Sequence, residues 1–299
     1  MVHRLIIHPA SRQELSGTLR LQPGSIRMAS SSAASASLPF DEIATTRVIA
    51  RAYFDKFLAA TECDVAIVGG GPSGLTAAWK LAEAGLNVAL FERKLSLGGG
   101  VWGGGMTWNM LVVQEESRHV LDEAGVPLTE AQPGCFVADA VSVASTLASK
   151  ACLAGAKIFN CMSVEDVMLR GEGPRARVTG LVINSSPVEI AGLHVDPVTI
   201  GCKAVIEATG HDMEVLRTLV RKNDVQLDTA TGGVVGEKSM WAGRAETDTV
   251  LNTREVFPGM WVAGMAANAT HGSYRMGPIF GGMLLSGEKV ARELIARLQ

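Results

Sequence analysis

The chain has 299 residues, enough for one large domain or two small ones, and 47% of them are hydrophobic, ample for a core, though aromatics make up only 5%. A net charge of −3 gives no electrostatic case for nucleic acid or an anionic membrane, and no apolar run is long enough to span a bilayer. The five cysteines (Cys63, Cys135, Cys152, Cys161, Cys202) are odd in number and lack C-x-x-C spacing, which points away from a disulfide framework or zinc knuckle and towards a reducing, cytoplasmic home.

Residues 1–38 differ from the rest. They are serine-rich and carry Arg4, Arg12, Arg20 and Arg27 against the single acid Glu14. That composition suits an organelle transit peptide, an unstructured leader, or sequence upstream of a true start at Met28, and predicts disorder in each case. Residues 39–299 are expected to form a single domain. Asp41 and Glu42 open a helical pattern whose apolar stripe, Ile43, Val48, Ile49, Tyr53, Phe54 and Phe57, is expected to serve packing.

The most informative stretch follows. Val65–Val68 is a short apolar run of the kind found in a parallel strand buried on both faces. Gly69, Gly71 and Gly74 then match G-x-G-x-x-G, and Leu75, Ala78, Leu81 and Ala82 recur at helical spacing up to Gly85. A second strand, residues 87–91, ends in Glu92. Each part has a mechanical reason: Gly69 for a tight turn, Gly71 for backbone approach to a pyrophosphate, Gly74 for close helix–strand packing, and the helix N-terminus for the phosphates. Glu92 can accept hydrogen bonds from a ribose diol, which favours NAD or FAD over NADP, although Arg93 lies beside it. The unit predicts an α/β, Rossmann-like FAD/NAD-binding parallel sheet.

Six of the eight residues Gly98–Gly105 are glycine, which cannot hold a helix cheaply and fits a loop running close to the ribose and diphosphate of the same dinucleotide. Residues 109–124 and 140–154 look helical, and 157–161 looks like a strand. Residues 163–170 and 177–184 read as a hairpin, a β-rich insertion, around Gly171–Pro174. Val164 is expected either to touch the adenine through its backbone or simply to be buried in the sheet.

Residues 198–206 form another apolar strand, leading into Ala208-Thr209-Gly210, a second nucleotide-facing turn. His194 and Asp196 precede this strand and His211 follows it. Two imidazoles and a carboxylate suit an Fe(II), Mn or Zn site, and loop residues of these types also occur as plain surface polar groups. Residues 260–265 are a last short strand. Arg275 then stands in a glycine-rich turn before the closing helix, residues 284–298, where it can hold a small carboxylate through its planar fork or form a salt bridge at the helix start.

From about Asp41 to the C-terminus these residues resemble the thiamine thiazole synthase family. The likeness rests on Val68–Gly74, Phe91–Arg93, Gly98–Trp102, Ala191–Pro197, Ala208–His211 and Arg275–Gly281, the last three in this order being specific. The resemblance implies a glutathione-reductase-type Rossmann fold that consumes NAD as a substrate: nicotinamide leaves, and the ADP-ribose carbons combine with glycine and a sulfur atom into an adenylated thiazole carboxylate. It implies that Ser73, Glu92, Arg93, Gly100, Val164, His194, Val195, Asp196 and Met265 touch NAD or its derivatives. Asp196 and His211 would hold Fe(II), and Arg275 would hold the glycine carboxylate. In fungal and plant members a cysteine gives up its own sulfur at the position of His194. A histidine cannot, so this chain resembles the members that use free sulfide and turn over repeatedly, in low-oxygen surroundings. Cys202, inside an apolar strand, is expected to be a buried small residue rather than a donor. His194 would orient groups or shuttle protons beside the metal-holding Asp196 and His211. The family also implies a homo-octamer with the iron site near a subunit boundary, to which Asp196 could be brought by a neighbour. The rival readings are an FAD-dependent oxidoreductase of the same fold and a non-catalytic NAD-binding protein.

Overall fold

The computed structural model describes residues 41–299, so the leader expected over residues 1–38 lies outside the described residues. Contacts divide the chain after Thr46. The described part of the first unit is the first turn of helix α1 (Glu42–Leu58), and the second unit is Arg47–Gln299.

The frame is β1 (Glu62–Val68), α2 (Pro72–Glu83) and β2 (Val88–Glu92), with boundaries close to those read from the sequence. Successive residues of β1 feed opposite faces, Val65 and Ile67 into one core and Ala66 and Val68 into the other. In chain order there follow β3 (Met110–Gln114), α3 (Glu115–Ala124), β4 (Thr129–Gln132), β5 (Cys135–Asp139), α4 (Ala140–Leu153), β6 (Lys157–Asn160), β7 (Met162–Arg170), β8 (Arg177–Ser185), α5 (Ser186–Ile190) and β9 (Val198–Glu207). The chain continues with α6 (Glu214–Lys222), β10 (Lys238–Met240), α7 (Ala242–Asn252), β11 (Arg254–Phe257), β12 (Met260–Val262), α8 (Met265–His271), β13 (Tyr274–Arg275) and α9 (Gly281–Leu298).

The main sheet runs β11-β12-β9-β1-β2-β6, parallel except at β11. One edge of β9 pairs with β1 along most of its length. Its other edge is shared, Val198–Gly201 with β8 and Val205–Glu207 with β12. The expected β-rich insertion is the β7–β8 hairpin, antiparallel and joined to the sheet through β8. Helices α2, α4 and α9 cover one face of the sheet, while α6 and the hairpin help to close the other.

Two expectations fail. Residues 109–124 are not one helix: Met110–Gln114 is a strand and only Glu115–Ala124 is helical. Leu111 and Val113 are buried residues of β3 in a separate antiparallel sheet, β3-β5-β4, whose pairing the local pattern does not reveal. The stripe of α1 also does not pack as expected. Phe57 and Tyr53 meet Phe159 edge-on, at 5.7 and 6.1 Å between ring centroids, but Ile43, Val48, Ile49 and Phe54 stand exposed. Among the described residues, no helix is long and apolar enough to cross a membrane.

Glycines start α9 because nothing else fits. A Cβ on Gly281 would lie 2.3 Å from Ser117 Oγ, and one on Gly282 would lie 2.7 Å from the Glu246 carbonyl oxygen. The Gly282 N–H donates to Glu246 Oε2 at 2.5 Å, whereas Glu246 Oε1 is buried without a partner among the described residues. Burial, helped by the charge of Glu116, pushes the Glu246 carboxyl up to about 7 from 4.5. The folded chain therefore prefers the protonated acid, and stability is lost as pH rises from the unfolded value through about 7. Glu246→Gln is expected to be more stable than the parent at pH 8 by up to about 3 kcal/mol, with the gain vanishing near pH 4.5. Urea unfolding at the two pH values checks this; equal midpoints at both would contradict it.

Candidate active site

A cavity of about 620 Å³ opens at the C-terminal ends of β1, β2 and β9, where the chain runs from β1 to β2 on one side and from β9 towards β12 on the other. This is where an open α/β sheet has an unfilled crevice. Its floor is the first glycine turn. Gly69 has φ +102°, and a Cβ there would sit 2.4 Å from the Ala208 carbonyl oxygen. A Cβ on Gly74 would lie 2.0 Å from the Gly69 carbonyl oxygen, so Gly74 serves packing and does not line the cavity. A Cβ on Gly71 would meet nothing within 4 Å, because that side faces open cavity.

Polar groups here await a partner. Ser73 Oγ is buried and unpaired among the described residues, and α2 begins with neither a side-chain cap nor an acid in its first turn. Free N–H groups, a positive helix end and an orphaned hydroxyl beside open space together fit a diphosphate. The second glycine cluster closes on this turn: Gly98 N donates to the Gly70 carbonyl at 2.7 Å, and Gly100 lines the cavity.

Glu92 lines the cavity but is also a tie. Its Oε2 accepts from Gly70 N and its Oε1 from Lys94 N, each at 2.8 Å, so the carboxylate anchors the glycine turn to the end of β2. Arg93 reaches across to α6, pairing with Glu214 and with Asp212 at 3.3 Å. Glu214 is pulled two ways: burial raises its carboxyl above the ordinary range and the Arg93 charge opposes it. Val164 and Met265 line the same space.

His211 and Arg275 also face this cavity. His211 Nδ1 meets Glu237 Oε2 at 2.5 Å. Against an ionised carboxylate Nδ1 donates, and in the neutral ring this leaves the Nε2 lone pair for whatever occupies the cavity. Arg275 is held by its backbone in a short ribbon, β10 beside β13, and its guanidinium makes no ion pair among the described residues. The alternative of a salt bridge at the start of α9 is not formed.

His194, Val195 and Asp196 are placed elsewhere. They lie on the exposed segment between α5 and β9 and do not line the cavity. Among the described residues no three His, Cys, Asp or Glu side chains cluster so as to hold a metal. A single chain thus offers one free imidazole nitrogen at the cavity and keeps the Asp196 carboxylate apart. Cys202 is half-buried, and burial raises its thiol far above the ordinary range, which suits the expected inert role. Two features escape sequence reading. Glu237, which immediately precedes β10, has no local signature. The cavity also collects Met106, Met162, Met240, Met276 and Met283 from distant elements.

A Rossmann-type α/β domain with an open crevice above its glycine turn and a histidine beside it defines the class. The comparisons go further: the Thi4 family model matches residues 46–280. The thiamine thiazole synthase of Solidesulfovibrio magneticus is 68% identical over 88% of this chain and all of its own length, and that of Methanothermobacter thermautotrophicus is 55% identical over the same shares. The crystal structure of Thermovibrio ammonificans THI4 superposes with a TM-score of 0.84 at 52% identity, covering 87% of this chain and 99% of that one. The chain belongs to the Thi4 family.

The glycine turn gives a direct test. If the turn cradles a diphosphate, Gly71→Ala is expected to weaken ADP-ribose binding about tenfold while leaving the melting temperature within a few degrees, because a Cβ there meets no protein atom within 4 Å. Gly74→Ala is expected to destabilise the fold by roughly 1–3 kcal/mol through overpacking. Calorimetric titration and thermal unfolding of both variants separate the two roles.

Proposed function

We propose that this chain is a thiamine thiazole synthase that converts NAD, glycine and free sulfide into an adenylated thiazole carboxylate over many turnovers. The observation that carries the reading is that one cavity holds the dinucleotide turn, the free Nε2 of His211 and the unpaired guanidinium of Arg275. Family membership supplies the reaction class.

The roles follow from the residues. The backbone N–H groups of Gly71 and Ser73 and the Ser73 hydroxyl bind the diphosphate, Pro72 between them having no N–H to offer, and Glu92 accepts from the adenosine ribose. Arg93 closes that end of the crevice, with Gly100, Val164 and Met265 as its walls. Nicotinamide departure leaves the other ribose near His211. Arg275 takes the glycine carboxylate through its fork, fixing the amine toward the sugar and replacing diffusion by proximity. The site is read as using Fe(II), held by His211 and Asp196; when bound it would supply Lewis-acid polarisation and a template. Oxygen and imidazole donors suit that ion in kind.

Because Asp196 lies outside the cavity of its own chain, we assign it to the site of a neighbouring copy, together with His194 and Val195. Two features support this. The segment carrying Asp196 is apolar and exposed at Leu193 and Val195, and the cavity rim exposes Met106, Met240 and the neighbouring Trp241. Exposed apolar surface of this extent marks contact surfaces. The same reasoning applies to α1, and a closed homo-octamer is the proposed assembly. With histidine at position 194 the sulfur must come from outside, so sulfide is the proposed donor and His194 is left to orient groups or move protons.

The test is an anaerobic incubation of the full chain with NAD, glycine, sulfide and Fe(II), read by mass spectrometry. Adenylated thiazole exceeding one equivalent per subunit, and only with sulfide present, is the expected result. A yellow protein carrying flavin and forming no thiazole would replace this reading with an oxidoreductase. In the same assay Arg275→Gln should raise the KM for glycine about tenfold or more while changing the KM for NAD little.

A further inference from the structure

Glu207, the last residue of β9, is fully buried. No cation pairs with it among the described residues, and burial raises its carboxyl above the ordinary range. Burying such a group without a cation is costly unless hydrogen bonds satisfy it. Four do. Oε1 accepts from Thr209 N at 3.1 Å and from the Thr209 hydroxyl at 2.6 Å, while Oε2 accepts from Val215 N at 2.7 Å and Leu216 N at 3.1 Å. All four partners are donors, an arrangement that a carboxylate satisfies and a carboxamide cannot.

The order of these partners along the chain is what matters. Thr209 precedes His211, and Val215 and Leu216 follow it, so one carboxylate ties both ends of the turn that carries the imidazole. Nothing nearer does this for α6. Its N-cap residue, Met213, sits at φ +47° and makes no side-chain cap, and among the described residues the only other side-chain bond to the helix start is Glu214 N to Thr209 Oγ1 at 3.2 Å. The backbone on either side is fixed as well: Ala208 N donates to the Val68 carbonyl at 2.8 Å, and Ala263 N to the Glu207 carbonyl at 3.0 Å.

We propose that Glu207 is a positioning residue: by clamping both ends of the Ala208–Met213 turn, it fixes where the His211 imidazole stands in the cavity. The inference rests on the reading of His211 given above. Glu237 aims the ring through Nδ1, and Glu207 sets the backbone from which the ring projects. A carboxamide at 207 would turn an N–H₂ group towards donors and release one end of the turn.

The experiment uses the full chain with its histidines ¹³C-labelled, the His211 signal being identified by its loss in His211→Gln. In Glu207→Gln the His211 resonance is expected to shift and broaden while that of His119, on α3, stays in place. Fe(II) affinity is expected to fall about tenfold to hundredfold, the usual effect of losing an outer-shell support. A lowered melting temperature with an unmoved His211 signal and unchanged Fe(II) affinity would overturn the proposal, since it would show support of the fold alone. If Glu207→Gln does not fold, Thr209→Val removes the hydroxyl link and decides by the same signal. Undiminished thiazole formation by His211→Ala would instead overturn the reading of the site, and with it any catalytic meaning of Glu207, whatever the resonance does.

Discussion

The crevice depends on the parallel pairing of β1 with β9, which brings Val68 level with Glu207. From that register the chain leaves the two strands as adjacent turns, and the Ala208 carbonyl fills the space where any residue but glycine at position 69 would carry its Cβ. The dinucleotide turn and the turn bearing His211 are thus one packed unit. Shifting either strand would move the glycine turn and the imidazole together. Glu92 and Glu207 continue the logic, since each is a strand-end carboxylate spent on backbone N–H groups of a cavity-lining turn.

Much of this frame is legible in the sequence because it is local. Strand, glycines, helix and Glu92 occupy about thirty consecutive residues, each with its own short-range cause. The β7–β8 hairpin and α4 likewise follow from periodicity and turn residues. Met110–Gln114 is not legible in this way: Leu111, Val112 and Val113 suit a buried strand or a helix equally, and the partner that decides, β5, lies a helix and a strand further on. Helix α6 carries a readable apolar spacing at Val215, Leu216 and Leu219, all buried.

The site divides along the same line. Ser73, Glu92, Gly100, Val164, His211, Met265 and Arg275 line one cavity. His194 and Asp196 do not, because their segment leaves the sheet edge before β9 begins. Glu237 and the β10–β13 ribbon could not be read at all, since they depend on pairing between segments more than thirty residues apart. What sequence spacing presents as a single metal-binding set, the fold separates into a cavity half and a surface half. That separation is the physical reason for proposing assembly as part of catalysis.

The most direct measurement is an anaerobic crystal structure of the full chain grown with Fe(II) and ADP-ribose. The account predicts the diphosphate against Gly71–Ser73 at the start of α2, and the metal between His211 Nε2 of one copy and the Asp196 carboxylate of another. Nucleotide bound away from the glycine turn, or metal held without either residue, would contradict it.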